Sequence, residues 1–203
     1  KGKVSRGERV KYAVQGGIND SYLSKELNLN LKDIKKSFKD SVSILSKYTH
    51  VNTNTFNVNG TDTDQYIEST LSALNDLFIL IKALRKKVIS TLEEHIEESV
   101  VGEALYETID SIDVLATHHY IEEVYVDKVH IECIDHEYIH ILASGHFGVE
   151  LQWGSNSDLR NDNGALIQQS FPLTCELKSR TNSPEEFEPE LATLAVNTSS
   201  WHD

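Results

Sequence analysis

The apolar positions of the chain change period once, near His118. Before that point they recur every three or four residues, the spacing of one helix face; after it they alternate, the spacing of one strand face. Residues 1–20 open with a short basic segment and stop at Gly16-Gly17. Residues 20–27 read as a short helix and 30–48 as a longer one, with Leu31, Ile34, Phe38, Val42 and Leu45 in one stripe. Lys32, Lys35, Lys36 and Lys39 fall mostly off that stripe, as a solvated face or a phosphate-contacting one. Residues 50–64 are dense in Asn, Thr and Asp, which bond their own backbone, so they read as a loop with an extended piece at 55–58. Thr63 is placed to cap the next helix.

That helix is the longest element. Ile67, Leu71, Leu74, Phe78, Ile81, Leu84, Val88, Leu92 and Ile96 keep the spacing, and Ala73, Leu77 and Leu80 widen the stripe. About 35 such positions make a rod about 50 Å long, more than one small globule covers. It is expected to pack against several elements or to form a homodimer through residues 64–98. Gly102 is expected to break or bend it, and a further helix over 101–116 puts Leu105, Ile109, Ile112 and Leu115 on one side.

From His118 on, IEEVYVDKVHIECI, YIHIL and HFGVELQW alternate and are rich in Val, Ile and Tyr. Asp135-His136-Glu137 and Ser144-Gly145 read as hairpin turns between them, 154–164 as a long polar loop, and 170–180 as another strand. The fold class is therefore α+β: a helical region 1–117 with one long helix, an antiparallel β region 118–182 of four to five strands, and an acidic C-terminal tail 183–203. The tail reads as loosely attached, with one apolar strip at 191–196.

Charge narrows the function classes. The net charge of -13 repels phosphate backbones and disfavours broad nucleic-acid binding, although eleven of the nineteen Lys and Arg residues precede Tyr48 and leave room for a local basic patch. Cys133 and Cys175 form neither a disulfide framework nor a CxxC motif, which fits a reducing, cytoplasmic compartment. No apolar run is long enough to span a bilayer, the opening KGKVSRGERVKY lacks the apolar segment of a signal peptide, and no membrane partner is expected. The absence of methionine fits an excerpt of a longer protein.

Three constellations carry candidate chemistry. His136-Glu137-x-x-His140 matches the zinc-protease motif, and His146 falls where its extended form places a third ligand. The motif needs a helix to set both histidines on one face, whereas the flanks here alternate; Ala143 replaces the motif glycine, and a methionine turn is impossible. The second is Glu176-Leu177-Lys178, preceded by Asp158 and Asp162. Alternation sets Glu176 and Lys178 on one face. Asp158, Asp162 and Glu176 would hold Mg²⁺ or Mn²⁺, and Asp162, Glu176 and Lys178 would be catalytic, the lysine steadying the attacking hydroxide. Asp33-Ile34-Lys35 repeats the acidic-x-Lys pattern on a helix and shows how common it is. The third is the loop Ser155–Gly164 itself, whose oxygens suit Ca²⁺ or simply its own turns.

The segments LSKYTHVNTNTF (45–56), DVLATHHYIEEVYVDKV (113–129) and GVELQWGSNSDLRNDNGALIQQSFPLTC (148–175) resemble a bacterial family, the predicted pPIWI-associating nucleases. The resemblance spans most of the chain, with GSNSD-x-R-x-D-x-G-A…SFP its most distinctive part. It implies a defence or mobile-element setting and a protein partner in a defence system. Two functions stand side by side: a metal-dependent nuclease, or a non-catalytic interaction and oligomerisation module whose long helix dimerises. The acidic surface favours the module and the resemblance favours the nuclease.

Overall fold

A computed structural model of the chain describes residues 4–25, 32–49, 60–106, 109–188 and 192–201. It divides into two compact units, 1–90 and 91–203, each built around its own apolar core. The expected extended piece at 55–58 lies outside the described residues.

The first unit holds helices α1 (Arg6–Gln15), α2 (Asp20–Lys25) and α3 (Lys32–Thr49) and the larger part of α4 (Gly60–Tyr106). The basic opening segment thus contains a helix that the sequence reading did not assign. Ser5 caps it: the Glu8 amide donates to the Ser5 hydroxyl at 3.2 Å, and the Ser5 amide donates to the Glu8 carboxylate at 2.6 Å. This reciprocal box satisfies two amides that a helix start otherwise leaves unpaired. The end of α1 is tied to α2 and α3 by polar contacts. Lys11 meets Asp20 at 2.7 Å, Gln15 Nε2 donates to the Ile18 carbonyl, and Lys35 donates to Gln15. Val10, Val14, Ile18, Tyr22 and Leu23 supply this unit's buried apolar residues together with Ala73, Leu77, Leu80, Leu84 and Val88 of α4.

Helix α4 is 47 residues long, roughly 70 Å, and two expectations about it are corrected. It begins at Gly60, so Thr63 lies inside it rather than capping it, and it runs through Gly102 without a break. A single glycine costs only about 1 kcal/mol against alanine, less than the packing on either side supplies. The 101–116 helix is replaced by the end of α4 and the single turn α5 (Asp110–Asp113). Leu105 is exposed, while Ile112 and Leu115 are buried as expected.

The buried row of α4 also differs from the expected stripe. From Leu80 it proceeds in steps of four through Leu84, Val88, Leu92, Ile96, Val100 and Ala104. Each step of four overshoots a full turn by about 40°, so the row winds roughly 240° around the axis over this length. The straight stripe through Ile67, Leu71, Leu74 and Phe78 is left in solvent for its first half.

The second unit is a five-stranded antiparallel sheet: β1 (His118–Ile134), β2 (Tyr138–Trp153), β3 (Ala165–Arg180), β4 (Ser183–Phe187) and β5 (Thr193–Val196). β1, β2 and β3 pair in chain order, and β4 and β5 both pair with β3. Three register shifts coil β1 against β2. Odd positions of β2 from Ile139 to Leu151 and of β3 from Phe171 to Ser179 are buried, among them Ile141, Phe147, Leu173 and Leu177. Even positions over these spans are the more exposed ones, Gly148 excepted, as a period of two requires.

The turn at 135–137 forms as expected, but Ser144-Gly145 lies mid-strand. Gly145 is needed there because a Cβ would sit 1.7 Å from the Tyr125 carbonyl oxygen: close strand approach, not a turn, selects glycine. The polar loop after β2 contains one helical turn, α6 (Asn156–Arg160), capped by Ser155. The C-terminal segment is bound rather than loose. β5 joins β3, and Trp201, in a closing 3-10 turn (Ser199–Trp201), stacks on Trp153 at 5.9 Å. No helix among the described residues is long and apolar enough to cross a membrane.

Candidate active site

The outward face of the sheet at the β1–β2 turn gathers the densest polar chemistry. Asp135 closes the turn by accepting the amides of Glu137 and Tyr138, each at 2.7 Å. Its other oxygen, Oδ2, lies 2.9 Å from His140 Nε2. These contacts, the Tyr138 amide first, then His140 and the Glu137 amide, hold the Asp135 carboxyl far below the usual carboxylate range. A fixed anion on Nε2 selects the tautomer with its proton there and leaves Nδ1 as a lone-pair acceptor. Among the described residues Nδ1 takes no hydrogen bond.

Strand register surrounds His140. Cys133 of β1 and Lys178 of β3 are its direct partners on either side, and directly opposed side chains have Cβ atoms about 5 Å apart. One row further on, Tyr138 faces Arg180, whose guanidinium sits 5.5 Å over the Tyr138 ring. Glu188 and, at 3.7 Å, Glu137 hold that guanidinium in place. The result is a half-buried imidazole, oriented by a carboxylate, with Lys178 as its cross-strand partner and Arg180 one row away.

Two further His–Asp pairs exist in this unit. His119 meets Asp113 at 3.1 Å beside a shallow recess lined by Thr117, His118 and Tyr120. His146 meets Asp127 at 2.5 Å but is 57% exposed and has only Lys128 on the diagonal. Neither combines shelter with two neighbouring cations, and His140 does.

The expected site residues are not brought together. Glu176 is exposed opposite Leu142, and Lys178 lies two residues on, on the same face, so that half of the reading holds geometrically. Asp158 and Asp162 belong to the connection beyond the Trp153–Ala165 end of the sheet. Eleven strand positions, 165 to 176, separate that end from Glu176, about 35 Å along an extended chain. Asp158 is engaged locally: Ser155 donates to it from its amide at 2.8 Å and from its hydroxyl at 2.6 Å, the latter contact leading in lowering its pKa. Asp162 takes a left-handed φ of 57° in the turn that follows. Asp158, Asp162 and Glu176 therefore do not form one cradle for Mg²⁺ or Mn²⁺, because strand length keeps the loop carboxylates from the third.

The zinc motif is not assembled either. His136 and Glu137 lie in the turn and His140 on the strand, so the one-turn helical spacing is absent. Among the described residues no group of three or more His, Cys, Asp or Glu side chains is arranged to hold a metal.

The Asp135–His140 pairing escaped sequence reading, although its signal was present. An Asx-type turn at 135–137 folds β2 back so that a side chain five residues on can reach the turn aspartate.

Residues 81–202 match a family model described as a predicted pPIWI-associating nuclease, and residues 1–74 match a second model of the same description. No curated protein and no solved structure matches the chain.

Proposed function

We propose, from the premise that the chain belongs to the predicted pPIWI-associating nucleases, that it cleaves phosphodiester bonds with His140 as general base. The observation that carries this reading is the 2.9 Å contact from Asp135 Oδ2 to His140 Nε2 beside Lys178. In the proposed step, Nδ1 of His140 takes the proton of the attacking hydroxyl as its oxygen bonds to phosphorus. Asp135 stabilises the imidazolium that results. Lys178 and Arg180 offset the charge that builds on the phosphoryl oxygens, and the bond from phosphorus to the leaving oxygen breaks as that oxygen takes up a proton from solvent.

The family description supports a PIWI-type protein as partner, and the resemblance to defence-associated bacterial proteins supports a cytoplasmic role against mobile elements. A second reading keeps the divalent cation. Glu176 is exposed two residues from Lys178, and Mg²⁺ is commonly held by one or two carboxylates plus the substrate phosphates. In that case Glu176 is the protein's ligand and Lys178 steadies the hydroxide.

The test is cleavage of end-labelled single-stranded RNA and DNA by the full chain, with Mn²⁺ and with EDTA. Cleavage that survives EDTA and Glu176→Gln supports His140 as the base. Cleavage that requires Mn²⁺ and is lost in Glu176→Gln supports the second reading. No cleavage of either polymer contradicts both and leaves a non-catalytic interaction module.

A further inference from the structure

Along the first half of α4, Ile67, Leu71, Leu74, Phe78 and Ile81 are spaced four, three, four and three apart, a mean of 3.5. That is the repeat of a two-stranded coiled coil, distinct from the steps of four by which the same helix buries its other side. The two rows lie roughly 100° apart around the axis. Ile67, Leu71 and Phe78 are 52%, 61% and 59% exposed, and Leu74 and Ile81 are half-buried. A contiguous apolar stripe of this size marks a contact surface, where scattered single residues would not.

The flanking charges say what covers it. On the side away from the buried row, the stripe is bordered by Asp64 and Glu68 near its start and by Lys82 and Lys86 near its end. All four are exposed, and none makes an ion pair among the described residues. Turned end for end about Asn75, a second identical helix sets Glu68 opposite Lys82 and Asp64 opposite Lys86, twice over by symmetry. Shifting the centre by one residue, to Asp76, layers Leu71 on Ile81 and Leu74 on Phe78, so the charged pairs flank the apolar layers one residue out of step. A parallel pair would instead set the acidic ends together and the basic ends together.

We infer that two copies of this chain pair antiparallel through the Ile67–Leu71–Leu74–Phe78–Ile81 stripe of α4. The surface lies within residues 64–86 and is independent of the His140 site, so the two proposals stand or fall separately.

Analytical ultracentrifugation of the full chain across the micromolar range tests it. The expected result is a dimer that Phe78→Glu converts to monomer while circular dichroism stays unchanged, since Phe78 is exposed. Glu68→Lys puts like charges together at two symmetric places and weakens association about tenfold. Adding Lys82→Glu to that variant restores it, which a parallel pair or a seam elsewhere would not do. A wild-type chain that stays monomeric overturns the inference. So does a dimer that Phe78→Glu leaves intact, or one that Glu68→Lys weakens and the double exchange does not recover.

Discussion

His140 Nε2 lies 2.9 Å from Asp135 Oδ2, and the same aspartate accepts the two backbone amides that close the β1–β2 turn. One carboxylate thus shapes the hairpin and orients the imidazole. Its charge, not only its shape, is needed for both tasks.

Stability should follow that charge. A carboxyl whose folded value is depressed stabilises the fold above its unfolded value, near pH 4 for aspartate. The contribution is lost as pH falls towards the folded value. Wild type should therefore lose stability progressively below about pH 4, and Asp135→Asn should lose less over the same range. Denaturant midpoints of the two proteins measured from pH 3 to pH 7 would show it; parallel curves would mean that Asp135 is not ionised in the hairpin.

Much of the fold was legible in the sequence because period is set by geometry. The helices around Phe38 and Leu84 and the alternation through Val149 and Leu173 follow directly from 3.6 and 2 residues per repeat. The failures have identifiable causes. The first helix was signalled by Ser5 and Glu8, a capping box spaced three apart, but its weak apolar stripe hid it. Gly145 looked like a turn because close approach by Tyr125 leaves no local trace in sequence. The tail looked loose because the Trp201–Trp153 stack joins positions 48 apart. Of the candidate site, Glu176 and Lys178 were placed on the correct shared face by alternation. Asp158 and Asp162 were read beside Glu176 from sequence proximity, which says nothing about the eleven strand positions that run from Ala165 to Glu176.

Gly145→Ala tests the strand contact. The added carbon would meet the Tyr125 carbonyl, a backbone atom that cannot swing aside. Overpacking of this kind should cost about 3 kcal/mol, read as a lowered unfolding midpoint of the second unit. Both tryptophans, Trp153 and Trp201, lie in that unit, so intrinsic fluorescence follows it alone.

Gly102→Ala should have the opposite sign. The position is helical, and a Cβ there has no neighbour within 4 Å, so alanine adds helix propensity without a clash. A gain of about 0.5–1 kcal/mol is expected in the same fluorescence-detected unfolding.

The most direct test of the central claim is the rate at which wild type and His140→Ala cleave a labelled nucleic acid under identical conditions. If His140 is the general base, the variant should keep the wild-type circular dichroism spectrum and lose roughly 10²- to 10⁴-fold in rate. A folded His140→Ala protein that cleaves as fast as wild type would contradict the account.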